Sequence, residues 1–139
     1  MQNTKKFLCT LLLLIPISIF AKTGKVNIDC HNTLTQGDLN YCAYQEYQQQ
    51  DKLLNDTYQK LYQSLQEKQR PLLLKAQRSW IQFRDHDCNF EASGVIGGSV
   101  WPMIYTDCLR AKTQQRIKEL YNMGHCQEGV LSCPGPVSQ

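Results

Sequence analysis

The side chains able to do chemistry in this chain are few, and their spacing limits what they can do. His86, Asp87 and Cys88 are consecutive, His125 precedes Cys126, and Glu91 lies near Asp87 and Asp107. Zinc needs about four converging ligands, whereas a cysteine-rich small chain in an oxidising compartment forms disulfides instead. No metal and no cofactor are therefore expected. Glu91 with Asp87 or Asp107 has the residue types of a glycosidase carboxylate pair, but any acidic loop offers as much. No glycine-rich phosphate loop and no serine with a placed histidine and acid is visible, so the chain is read as a non-enzyme.

The cysteines say more. Of the seven, Cys9 falls in a segment with a basic start (Lys5, Lys6), an apolar run from Phe7 to Phe20 and a small residue at Ala21. That is the layout of a secretory signal peptide over residues 1–21, and its apolar run is too short to span a membrane comfortably. The expected product is exported, periplasmic or secreted, with no membrane anchor after signal removal. Taking Lys5 and Lys6 from the 15 basic side chains leaves 13 against 12 acidic ones. This near-balance argues against nucleic acid or an anionic membrane as partner. Cys30, Cys42, Cys88, Cys108, Cys126 and Cys133 then read as three disulfides, with 15 possible pairings. Spacing favours Cys126–Cys133, closing a short C-terminal loop, and Cys88–Cys108, tying the ends of a glycine-rich segment.

Three amphipathic segments must position these groups. Residues 22–34 read as an extended N-terminal segment, 35–124 as a helical domain and 125–139 as a tail whose Pro134, Gly135 and Pro136 exclude helix. Thr35 and Asp38 form a capping-box-like start in which hydroxyl and carboxylate serve backbone N–H groups. Ala43, Tyr47, Leu54, Tyr58, Leu61 and Leu65 then share one helix face, and the first helix should run to about Glu67. The second begins near Pro71 and turns Leu73, Ala76, Trp80, Phe83 and Cys88 towards a core, with Gly94 as its latest end. The third runs from about Pro102 to Met123 with Leu109, Thr113, Ile117 and Leu120 as its stripe, and Gly124 is suited to a left-handed close. The short turn at 67–70 makes the first two helices an antiparallel hairpin. The fold class is all-α: a three-helix domain, hairpin plus third helix, stapled by disulfides.

Polar residues on the hairpin need partners. Asp51 sits beside the apolar stripe and Arg84 follows Trp80 by four, so a paired Asp51–Arg84 interaction across the hairpin explains both, because a buried charge is tolerated only when paired. Asn55, Arg78 and Asp85 frame the same hairpin with Tyr58 and Trp80, and Arg116 is expected to reach Asp85 or Asp87.

The series Asp51, Leu54-Asn55, Tyr58 and Leu61, then Ala76-Gln77-Arg78-Ser79-Trp80, Phe83-Arg84-Asp85 and Cys88, then Cys108-Leu109, Thr113, Arg116 and Leu120 resembles the LprI-type domain, called lysozyme inhibitor LprI-like. The resemblance covers about Cys30 to Tyr121. It implies a small exported helical domain, a protein partner of the lysozyme-type hydrolase class, and inhibition rather than catalysis. The chain departs from the simplest pattern in lacking a lipid-attachment cysteine and in adding Cys126 and Cys133. An inhibitor needs a surface that enters an enzyme cleft, and the segment between Cys88 and Cys108 is the candidate, with Glu91, Val95, Ile96, Trp101, Tyr105 and Asp107 as partner-binding residues. The alternative is a non-enzymatic cell-envelope interaction or scaffold module using the Tyr- and Gln-rich helix faces at Tyr41, Tyr44, Gln45, Gln48, Gln49 and Gln50.

Overall fold

The computed structural model describes residues 28–32, 35–127 and 129–134. The expected signal peptide, most of the 22–34 segment and the last residues of the tail lie outside the described residues. Three α-helices account for the domain: α1 (Gln36–Ser64), α2 (Arg70–Glu91) and α3 (Trp101–Gly124), with one 3₁₀ turn (Ser93–Val95) between α2 and α3. No strand is present among the described residues.

Each helix starts and stops for a local reason. At the start of α1 the Thr35 hydroxyl oxygen accepts from the Asp38 N–H at 3.1 Å, and the hydroxyl donates to the Asp38 carboxylate at 2.7 Å. The cap is thus one-sided: the Asp38 carboxylate takes the threonine proton instead of a backbone N–H. The first helix stops at Ser64, short of Glu67, because Leu65 is extended at φ −79°, ψ 149°. Its last carbonyls are served from across the turn. The Arg70 guanidinium donates Nε to the Tyr62 and Leu65 carbonyls at 3.2 and 3.1 Å and Nη2 to Gln63 at 3.4 Å. Carbonyls left without intrahelical partners are therefore closed by the residue that opens α2, which fixes the short hairpin.

Gly124 does not take the left-handed conformation expected of it. Positive φ occurs at Gly97 and Gly129 instead, and Gly124 matters through space: a Cβ there would stand 3.5 Å from Leu61 Cδ1. That approach shows that the C-terminal ends of α1 and α3 lie together. Their N-terminal ends do so too, since Asn40 donates to the Ser99 carbonyl at 3.0 Å. The two helices therefore run parallel and in close contact, α2 runs antiparallel to both, and α3 is the element that packs along each of the others.

The core divides lengthwise. Leu54, Leu61, Leu65, Leu73 and Leu120 form the buried apolar cluster, with half-buried Tyr58, Tyr62, Trp80, Ile117 and Met123 against it. Burial of each such leucine contributes about 2 kcal/mol. The rest of the interior is mixed: Gln77, Arg84, Thr106, Thr113 and Arg116 are buried beside Cys42, Ala43, Cys88, Ala92 and Leu109. The inward stripe of α2 is consequently Leu73, Gln77, Trp80, Arg84 and Cys88. Two residues expected on it are misplaced by sequence reasoning. Phe83 is 58% exposed and Ala76 is exposed, because the inward positions beside them are taken by polar residues whose partners lie on α3.

Three disulfides staple the frame. Cys30–Cys42 ties the segment before α1 to that helix, Cys88–Cys108 joins the last turn of α2 to α3, and Cys126–Cys133 closes the tail, with Cα separations of 5.7, 5.5 and 5.9 Å. The two pairings favoured by spacing are present. Among the described residues no helix is long and apolar enough to cross a membrane.

Candidate functional site

Arg84 organises the buried polar groups at its level of the helices. It is 6% exposed, and three groups share its guanidinium: Asp85 at 2.9 Å, Asp51 at 3.4 Å and the Thr113 hydroxyl at 3.3 Å. Its charge also lies over two rings, 5.3 Å from the Trp80 centroid and 5.6 Å from that of Tyr47. Burial opposes the charged form, yet the hydrogen bond to Asp85 and the charges of Tyr47, Asp85 and Asp51 outweigh it, holding Arg84 above the ordinary arginine value. Asp51 collects its own partners, accepting from the Tyr47 hydroxyl and the Asn55 amide, each at 3.4 Å. The Asp51–Arg84 pair thus forms between α1 and α2 as the helix spacing predicts, while Arg78 stays exposed on α2.

Arg116 behaves differently from expectation. It meets neither Asp85 nor Asp87; its Nε donates to the Gln77 amide oxygen at 3.1 Å and Nη1 to Glu119 at 3.0 Å. Asp85 is already held by Arg84, and Asp87 by Lys112 at 2.6 Å. Arg116 also sits 5.7 Å from the Trp80 centroid, so two buried cations converge on one indole, a ring well suited to them. Gln77 was the residue missed; its signal was its place seven before Arg84 on the inward stripe. These contacts bring Trp80, Arg84, Asp85, Asp51 and Asn55 together, while Tyr58 packs on the leucine cluster beside Tyr62.

The surface that this scaffold carries is the segment closed by Cys88–Cys108. Cys88 and Ala92 are fully buried at its base. Trp101 and Tyr105 are half-buried and stack on each other at 5.1 Å with their planes 6° apart, so they underpin the loop. Val95 is half-buried in the 3₁₀ turn. Burial raises the Tyr105 phenol above its ordinary value. Two residues project: Ile96 is 70% exposed and Phe90 is 77% exposed. The acids of the segment are locally balanced. Glu91 and Asp87 share Lys112, whose amine is 2.9 Å from Glu91, and Asp107 pairs with Arg110 at 3.1 Å, which also reaches Glu46 at 3.4 Å. Glu91 and Asp107 are therefore separate, each in its own ion pair, and do not form a carboxylate pair. No group of three or more His, Cys, Asp or Glu side chains converges as a metal site among the described residues.

The family model described as lysozyme inhibitor LprI matches residues 29–120, a span that holds all three helices up to Leu120 and the whole Cys88–Cys108 loop. The chain belongs to the LprI lysozyme-inhibitor family. An uncharacterised protein of Rhizobium meliloti (strain 1021) is 36% identical over 105 residues, covering 66% of this chain and 76% of that protein. No solved structure matches. LprI membership suggests an inhibitor-like role with a protein partner such as lysozyme, in place of catalysis. Three disulfides are consistent with an exported protein.

Proposed function

We propose that this chain is an exported inhibitor, periplasmic or secreted, that binds a lysozyme-type cell-wall hydrolase through the Cys88–Cys108 loop. The observation that carries the reading is the pairing of constraint with exposed apolar area: a loop pinned at both ends presents Phe90 and Ile96 to solvent. Large exposed apolar side chains on a rigid support are the usual anchors of a protein interface, and a pre-ordered loop loses less entropy on binding. Because Lys112 and Arg110 balance the neighbouring acids, affinity should rest on apolar contact, with weak dependence on salt.

The test is residual lysozyme activity on a cell-wall substrate as the purified, oxidised protein is titrated in, for several lysozyme types. Saturable inhibition is expected, and Phe90→Asp with Ile96→Asp should weaken it by about tenfold or more. Inhibition of none of them would refute the inhibitor reading, and full inhibition by the double variant would move the contact off the loop. A second reading, a non-enzymatic envelope interaction module, has its own observation in Tyr41 and Tyr44, both exposed on α1. It predicts enrichment of an envelope protein that Tyr44→Ala abolishes while lysozyme is unaffected.

A further inference from the structure

On the side of the domain that α2 does not cover, the seam between α1 and α3 opens into a cleft of about 590 Å³. Leu53 and Ile117 are the accessible apolar part of its lining, above the buried Leu61 and Leu120, and a second recess of about 350 Å³, lined in part by Gln50, Leu53 and Ile117, continues it along both helices. From residue 50 to residue 64 of α1 the groove extends roughly 20 Å at the α-helical rise. No residue of the Cys88–Cys108 loop takes part in either recess.

Three polar groups of the cleft are already used, while Tyr121 and Asn122, with Gln50 and Gln114 of the second recess, add polar surface to the lining. The Thr57 hydroxyl donates to the Leu53 carbonyl at 2.8 Å, the Ser64 hydroxyl to the Leu61 carbonyl at 2.7 Å, and the His125 ring nitrogen is bonded to the Tyr121 carbonyl at 2.8 Å. Two charged groups remain, Lys60 from α1 and Lys118 from α3, neither of which has an ion-pair partner among the described residues. No acidic side chain lines either recess. Such a cleft, basic at Lys60 and Lys118 and without an acidic group, suits a ligand with a single anionic head and a largely apolar body. The volume lies within the range of small-molecule sites, and a groove of this length accommodates an acyl chain, which spans about 15 Å as half of a bilayer core.

We infer that the α1–α3 cleft binds a long-chain carboxylate, its head at Lys60 and Lys118 and its chain along Leu53 and Ile117. The site is separate from the inhibitory loop, so each stands or falls alone. The test is isothermal titration of the purified oxidised protein with palmitate below its aggregation threshold, against methyl palmitate and against anionic phosphatidylglycerol vesicles. Palmitate should bind at one site, and Lys60→Glu with Lys118→Glu should weaken it about tenfold or more by placing like charge at the head. Leu53→Glu, at an exposed position whose change leaves the fold intact by circular dichroism, should abolish it. Absence of palmitate binding, undiminished binding in these variants, or equal binding of the methyl ester would each overturn the inference, and binding to vesicles alone would replace it with a membrane surface.

Discussion

Opening the Cys88–Cys108 bond should be among the most damaging small changes available to this domain, for stability and for inhibition together. The bond closes a sequence separation of 20, for which the chain-entropy relation gives about 3 kcal/mol of constraint on the unfolded state. Both half-cystines belong to the region where α2 meets α3: Cys88 is fully buried, and Ala92 caps the helix by donating to the Cys88 carbonyl at 3.0 Å. Cys88→Ala with Cys108→Ala removes the link without leaving a free thiol or burying a hydroxyl. Urea unfolding followed by far-ultraviolet circular dichroism should show a loss of about 3 kcal/mol, and the melting temperature should fall by roughly 10–20 °C. The same variant, assayed where it remains folded, should inhibit lysozyme more weakly, because the loop must then be ordered on binding. A loss under about 1 kcal/mol would refute the reasoning, since it would mean that the packing of Trp101 on Tyr105 and the buried Ala92 hold the loop without the bond. The corresponding change at Cys126–Cys133, which closes a separation of 7 on the tail, serves as the internal comparison and should cost less.

Three further outcomes are expected. Arg84→Ala leaves a cavity beside Trp80 and strips Asp51, Asp85 and Thr113 of their shared donor, for a cost of about 2–4 kcal/mol; Arg84→Met keeps the stem and should lose less, because the two carboxylates stay accessible to water. Equal loss in both, by urea titration, would show that the charge outweighs the volume. Stability should decline in alkali: burial raises Tyr47, Tyr58 and Tyr105, and the hydrogen bonds to Asp87 and Glu91 raise Lys112. A raised native value means that the folded chain holds its protons longer, so this stability is complete below the unfolded values near pH 10 and lost as pH climbs through the raised ones; unfolding free energies at pH 8 and pH 10.5 that agree would contradict it. Finally, Phe90→Asp and Ile96→Asp should change stability by no more than about 0.5 kcal/mol, so that thermal melts separate a lost contact from a lost fold.

Much of this arrangement was legible before any tertiary contact was known. Thr35, Pro71 and Pro102 mark helix starts because capping and a fixed φ act over one turn, and the α1 stripe through Leu54, Leu61 and Leu65 is readable because helical period alone decides which residues share a face. The Asp51–Arg84 pair was foreseeable for a similar reason: a hairpin with a short turn leaves few registers, and a charge on an apolar stripe demands a partner. The family resemblance rested on these same positions.

What sequence could not fix was the third helix's place, and several misreadings follow from that. Phe83 and Ala76 have the spacing of core residues, yet they face outwards, since the parallel approach of α3 to α1 brings Thr113 and Arg116 opposite Arg84 and Gln77 and buries polar groups along the inward face of α2. Arg116 found Gln77 and Glu119 because its expected partners were already engaged, a competition visible only when all the groups share one space. Local interactions set helices and caps through forces acting over a few residues; the closing of the Cys88–Cys108 loop, the assignment of buried polar partners, the outward turn of Phe90 and Ile96, and the cleft along α1 and α3 depend on how separate helices meet, which no period along the chain encodes.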